Sequence, residues 1–434
     1  MNYLFETYAA KGETQVYKIA SSTKANKQRK LLMGTWLGVL AVLPDDWLKI
    51  KTFGKVGYVK TSDTMSSHHF KAFFIDVGQG DAMLIEAPGK TILVDGGPSV
   101  NLYNYLTKWK YKWIILANKK IKIDAIIISH FDADHFNGLT SIIDHPNFEI
   151  GAIYHNGIVR FHDTKKGRLD KYDTDIGATN YEKGIQQRTI LKTSFSTIDD
   201  CEELIEEIPN DKKGLQASFQ LFIEACINAN KNGRLGKMKR LSNRNKYVPG
   251  FPESADLSLQ LLGPVLSKPN GKIEFDWFDD AAMTRNGHSL VIRLDYLGKS
   301  LLLSGDLNTL SEKHLLKAHN NKVFDVDVAK ACHHGSSDFT VEFLKKTKPY
   351  ATVISSGDNE SHAHPRADAI GCAGKYSKSD RPMVFSTELA RSYSSGKAIH
   401  YGLINLRTNG KEMIMAQMKE KKVKSDLWDS YVIQ

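Results

Sequence analysis

Residues Ser129 to Gly138 read SHFDADHFNG, and the rest of the chain is best approached from them. Within six positions the segment sets His130, Asp132, Asp134 and His135, directly after the apolar run Ala125, Ile126, Ile127 and Ile128. A buried strand therefore ends by delivering two imidazoles and two carboxylates to one loop. Carboxylates withdrawn from water are strongly disfavoured unless a cation neutralises them. Divalent metal ions meet that need, so the pattern points to a metal-dependent hydrolase rather than a redox enzyme or a passive binder. The plainer reading is a polar strand-to-helix turn in which Asp134 only caps the next helix. Further candidate ligands, arriving in a consistent order downstream, weigh against it.

Composition narrows the class. The 434 residues are 41% hydrophobic and 25% charged, ordinary for a globular protein with a large core and one or two accessory units. No run of about 18 apolar residues occurs, so no transmembrane helix is expected. The start, MNYLFETYAAKGETQVYK, lacks the basic and apolar regions of a secretory signal. Cys201, Cys226, Cys332 and Cys372 are scattered without a C-x-x-C pair, which suits reduced thiols in a cytoplasmic protein. The formal charge is +10, and part of the excess is local. Residues 231–246, KNGRLGKMKRLSNRNK, hold seven basic side chains and no acid. Such a run is either a solvated face or, through Lys237, Lys239 and Arg240, an electrostatic guide for a phosphodiester substrate.

Three units are expected: a small β domain over 1–65, a hydrolase domain over 66–424 with an inserted helical cap at 155–255, and a tail at 425–434. In the first, Leu31 to Leu43 is β-rich with turn glycines, and Trp47 to Thr52 alternates apolar with polar. Val56 to Lys60 makes a last strand. The order of a glycine turn, a W-x-K-I strand and a G-Y-V strand resembles a bacterial SH3-like barrel, which implies a protein, peptide or cell-wall partner. TSDTMSSHH, residues 61–69, suits a linker, with His68 and His69 solvated.

The spacing H-x-D-x-D-H with Gly138 trailing resembles the signature of the metallo-β-lactamase superfamily, whose commonest form has His where Asp132 stands. FFIDVGQGDAMLIEAPGKTILVDGG, IDAIIISHFDADHFNGL, NGHSLVIRLDYLGKSLLLSGDLN, KACHHGSSDF and SSGDNESHAHP are together similar to the hydrolase domain of ComEC-like competence proteins. That resemblance implies an αββα sandwich with ligands at strand tips on one rim. It implies that His130 and Asp132 serve one ion, Asp134 and His135 another, and that Asp306 bridges them. One of His333 and His334, with His333 preferred, completes the second site, and His288 is a possible third ligand of the first. Asp95 would orient the ligand loop. His364 would face substrate or donate a proton, and Ser336, Ser337 and Asn359 would steady a phosphate.

Oxygen and nitrogen donors without thiolate suit zinc or manganese, and Asp132 favours the harder ion. A hydroxide shared by two such ions, with Asp134, Asp306 and His364 as the acting side chains, would attack phosphorus. Nucleic acid, single-stranded DNA first, is the expected substrate. The alternatives are a small phosphodiester, lactone or thioester, or an interaction protein whose site is vestigial.

Overall fold

The structure is a computed structural model that describes residues 3–182, 187–191, 194–207, 214–267, 274–357, 362–388, 392–394, 398–400, 403–423 and 426–433. The first residues build a seven-stranded antiparallel sheet. Its spatial order is Lys27–Leu32, Glu13–Tyr17, Lys55–Lys60, Trp47–Thr52, Trp36–Leu43, Phe5–Ala9 and Thr64–Met65. Alternating side chains bury Val16, Leu37, Val39, Leu48, Ile50 and Val59 as a small core. The segment read as a linker is partly structured, because Thr64–Met65 pairs with Phe5–Ala9. His68 and His69 are half-buried rather than solvated: the first stands edge-on to Tyr8, and the second lies 3.0 Å from the Tyr296 hydroxyl.

Two larger sheets follow, stacked face to face. The ten-stranded one runs Ile121–Ile123, Phe148–His155, Ala125–Ile127, Lys90–Gly96, Ala82–Ala87, Phe70–Ile75, Leu403–Thr408, Met413–Val423 and Asp426–Val432, with Leu235–Arg240 also on Phe148–His155. The six-stranded one runs Leu257–Gly263, Val291–Tyr296, Lys299–Leu303, Val328–Lys330, Ala351–Ile354 and Met383–Ser386. Strand periodicity explains the layering. Phe70, Ala72, Phe74, Ile92, Val94 and Ile127 point into the core between the sheets, against Leu259, Ile292, Leu301 and Val353. Their neighbours Phe73, Ile75, Leu93, Ile126 and Ile128 point outward, under helices Asn101–Tyr105, Ala133–Asp144 and Ala217–Lys231. Leu302 and Ala329 do the same on the other side, beneath Thr309–Ala318 and Val341–Thr347. Strands covered on both faces read as unbroken apolar runs, which is how these do read. The result is helix, sheet, sheet, helix, as the resemblance implied.

Two expectations need correction. Residues 155–255 are not simply a helical cap. They contain a hairpin, Ala178–Glu182 with Gln187–Leu191, and helices Ile198–Glu206 and Ala217–Lys231. They also contain the strand Leu235–Arg240, which pairs in parallel with Phe148–His155 and so belongs to the main sheet. Phe219 and Phe222 pack on Phe131 and Phe136, so the inserted helix is cemented to the motif helix. The expected tail holds a strand too, Asp426–Val432, hydrogen-bonded to Met413–Val423. Among the described residues no helix is long and apolar enough to cross a membrane.

Candidate metal centre

Parallel strands in both sheets end on the same rim, and each ends in a loop that carries a polar side chain. Asp95 closes Lys90–Gly96, His130 follows Ala125–Ile127, Asp306 follows Lys299–Leu303, and His333 and His334 follow Val328–Lys330. The loop after Ile128 turns directly into helix Ala133–Asp144, which places Asp134 in the first turn, where the helix dipole favours a carboxylate. Asp306 is free of any capping duty, because Asn308 caps the following helix reciprocally with Ser311.

Asp134, His135, Asp306 and His334 offer ligand atoms that all lie within 4.8 Å of one another. His135 Nε2 is 3.2 Å and His334 Nε2 3.3 Å from Asp306 Oδ2, and His334 Nε2 is 3.2 Å from Asp134 Oδ2. His135 Nε2 and His334 Nε2, which face that Asp306 oxygen, are buried and have no hydrogen-bond partner, as is also true of His130 Nε2 beside them. Orphaned donors aimed at one point fit a divalent cation, since buried polar atoms are otherwise almost always satisfied. The ligand type, two imidazoles and two carboxylates, suits zinc or manganese alike.

Supporting groups fix these atoms. The Asp95 carboxylate accepts from Ser129 N at 2.7 Å, Ser129 Oγ at 2.8 Å and His135 Nδ1 at 3.0 Å. That keeps the proton of His135 on Nδ1 and its Nε2 open towards the other ligands. His334 Nδ1 is likewise held, 2.9 Å from the Ser355 carbonyl. His333 and His334 both adopt left-handed backbone, with φ of 47° and 54°, a conformation that costs non-glycine residues about 1–3 kcal/mol each and clusters at functional sites.

Electrostatics follow from this crowding. Burial pulls the His334 imidazole down, but Asp306 and Asp134 outweigh it and lift its pKa to about 10. His135 rises well above its usual range for the same reasons. Burial opposes the ionisation of Asp134 and Asp306, yet the two imidazoles hold both below the usual carboxylate range. His130, by contrast, is pushed down to about 3 by burial and by the neighbouring His135.

Several expected residues are placed differently. His334, not the preferred His333, sits among the four donors; His333 is on the rim, its Nε2 3.7 Å from Asp306 Oδ2. His288 is turned away: its Nε2 is 2.7 Å from the Asp276 carbonyl and its ring stacks on Phe278. Ser336 Oγ accepts from Asp338 N, and Ser337 donates to Asp368, so both hydroxyls have internal partners. His364 stands at the rim, its ring 5.7 Å from that of His333. Asn359 lies outside the described residues. Lys237 and Lys239 are exposed on the strand Leu235–Arg240, whereas Arg240 is half-buried and bonded to Ser194 Oγ.

Four residues escaped the sequence reading. Lys330, buried at the end of its strand, touches the Asp81 carboxylate and lies 3.8 Å from Asp306 Oδ1. Asp81 in turn sits 3.7 Å from both His135 Nδ1 and His334 Nδ1. A lysine closing the apolar run Val328-Ala329 was the one local signal. Arg160 and Arg285 both contact Asp132 Oδ1, the first at 2.6 Å.

Residues 75–206 match the family described as the metallo-beta-lactamase superfamily. Over 316 residues the chain is 23% identical to ComE operon protein 3 of Bacillus subtilis (strain 168), a match that takes in 70% of this chain and 30% of that protein. The chain therefore spans under a third of that relative's length. Among solved structures, the metallo-beta-lactamase fold protein YhfI of Bacillus subtilis is 10% identical, with 77% of this chain and all of that one covered at a TM-score of 0.34. Igni18, a metallo hydrolase of Ignicoccus hospitalis KIN4/I, is 13% identical, with 78% of this chain and all of that one covered at a TM-score of 0.35.

Proposed function

We propose that this chain, a metal-dependent hydrolase of the metallo-β-lactamase superfamily and of its ComEC-like branch, cuts phosphodiester bonds in nucleic acid, single-stranded DNA above all. Asp134, His135, Asp306 and His334 would hold the metal. The ion supplies Lewis-acid activation of water and neutralises charge growing on phosphoryl oxygens. The chain's own groups do the rest. Asp95 and Ser129 keep His135 aimed, Lys330 and Asp81 fix the far side of Asp306, and His364 stands at the rim, where an imidazole can pass a proton to a leaving oxygen.

The observation that carries the choice of nucleic acid is the basic strand. Lys237 and Lys239 are exposed on Leu235–Arg240, which pairs with Phe148–His155 in the catalytic sheet, and Arg234, Arg244 and Lys246 flank them without an intervening acid. A positive stripe continuous with the sheet suits a polyanion, whose binding is dominated by phosphate contacts. The amino-terminal β unit, if it is an SH3-like module, would add a protein or peptide partner.

The test is cleavage of single-stranded DNA, duplex DNA, RNA and a small bis-aryl phosphodiester by metal-loaded protein, beside the Asp134→Ala, His135→Ala variant. Cleavage of single strands that the variant lacks supports the reading. Cleavage of the small ester alone would replace it with a small-molecule phosphodiesterase. A Lys237→Gln, Lys239→Gln variant should bind single strands more weakly and with a salt slope lower by about one per lysine.

A further inference from the structure

The resemblance implied two ions. Among the described residues one group of four convergent donors occurs, and a group of three, Asp81, Asp95 and His135, shares His135 with it and has its carboxylates engaged by Lys330 and Ser129. Among the described residues, no group of three convergent donors includes His130 or Asp132. His130 Nε2 and Asp132 Oδ2 do face each other, 3.8 Å apart, and the third ligand expected beside them, His288, is committed to the Asp276 carbonyl.

The carboxylate that would serve the first ion is already neutralised. Asp132 Oδ1 receives Arg160 Nη1 at 2.6 Å and the Arg285 guanidinium. Both arginines also reach Asp175, Arg160 at 3.4 Å and Arg285 at 2.9 Å. The two arginine side chains are 9% and 11% exposed, and the two aspartates 19% and 18%. These residues come from the motif loop, the inserted segment and helix Ala281–Gly287, so three distant parts of the chain converge to close the network. A dication lodged on Asp132 would stand against two shielded guanidiniums, and like charges at that range repel strongly where water is scarce.

Resting on the reading that this centre binds metal, we propose that it holds a single ion, at Asp134, His135, Asp306 and His334, and that Arg160 and Arg285, locked onto Asp132, supply fixed positive charge where a second ion would otherwise sit. Guanidinium groups are suited to that place, since they stay charged at any working pH and match phosphoryl oxygens.

Metal stoichiometry tests this without recourse to activity. Protein equilibrated with manganese(II) and freed of excess should carry one ion per chain, with the electron paramagnetic resonance signature of an isolated ion. Asp134→Ala or His334→Ala should lose that ion, while His130→Ala and Asp132→Asn should retain it. Two ions per chain with a spin-coupled spectrum overturn the inference, and the untouched protein gives that answer even if a variant does not fold. Loss of bound metal in His130→Ala overturns it as well. No bound ion under any loading overturns the metal reading itself, and this inference with it.

Discussion

Asp95 is the side chain through which the ligand loop is held, because its two oxygens take the Ser129 backbone, the Ser129 hydroxyl and His135 at once. Asp95→Asn keeps the shape and spoils the acceptor pattern. Metal affinity should fall about 10–100-fold, as for other partners of ligating histidines, measured by competition with a chelating dye. Protonation gives a second expectation. His135 and His334 have pKa values raised above the usual imidazole range, so without an ion they carry protons that a metal must displace. Metal binding should then release protons and weaken as pH falls. Calorimetry in buffers of different ionisation enthalpy reads this directly, and buffer-independent heats would contradict it. At this scale legibility depended on distance along the chain. His130 to His135 fall within six consecutive residues and could be read as a unit, and Asp306 stood out after its apolar strand. Arg160 and Arg285 lie far from the motif and from each other, and no local pattern marks a salt-bridge partner brought together only by folding.

The helix Ala133–Asp144 shows why the motif ends in glycine. A Cβ on Gly138 would lie 2.1 Å from the Gly96 carbonyl oxygen and 2.4 Å from that of Ser99, so the helix rests directly on the loop after Asp95. Gly138→Ala has to push helix and loop apart. It should cost about 1–3 kcal/mol by overpacking and, by tilting Asp134 and His135, weaken metal binding; urea unfolding and metal titration check the two parts separately. The strands were readable because period-two alternation and unbroken apolar runs are local signals, as with Trp47–Thr52, whose observed limits are those the sequence suggested. The inserted segment was less so. Leu235–Arg240 reads LGKMKR, too basic to suggest a strand, and it becomes one because Phe148–His155 offers it an open edge.

At the scale of the molecule, a buried cluster of charge lies near the seam between the amino-terminal unit and the sandwich. Glu86 bonds Lys71 at 3.0 Å and Lys110 at 2.7 Å, and Arg407 reaches across to the Met33 carbonyl at 2.6 Å. Leu32 and Met33 pack there on Ile414 and Ala416. Burial opposes the Glu86 charge, but Lys110 and Lys71 win and hold its pKa far below the usual carboxylate range. A carboxylate depressed in this way adds stability that is present above its unfolded pKa and lost as pH falls towards the folded one. Glu86→Ala leaves Lys71 buried without its counter-charge and should cost about 3–5 kcal/mol at neutral pH. The loss should shrink below about pH 4, where the unfolded chain takes up a proton that native Glu86 still refuses and the pair contributes less to stability.

Since Leu235–Arg240 is a rung of the catalytic sheet, the segment that precedes it cannot be excised like a surface loop. Excision that took this rung as well would strip Phe148–His155 of one of its neighbours and leave a raw β-edge open to sticking. Shortened or chimeric versions should therefore keep that rung, or transplant the segment whole with its neighbour, if they are to escape edge-to-edge aggregation long enough to be assayed.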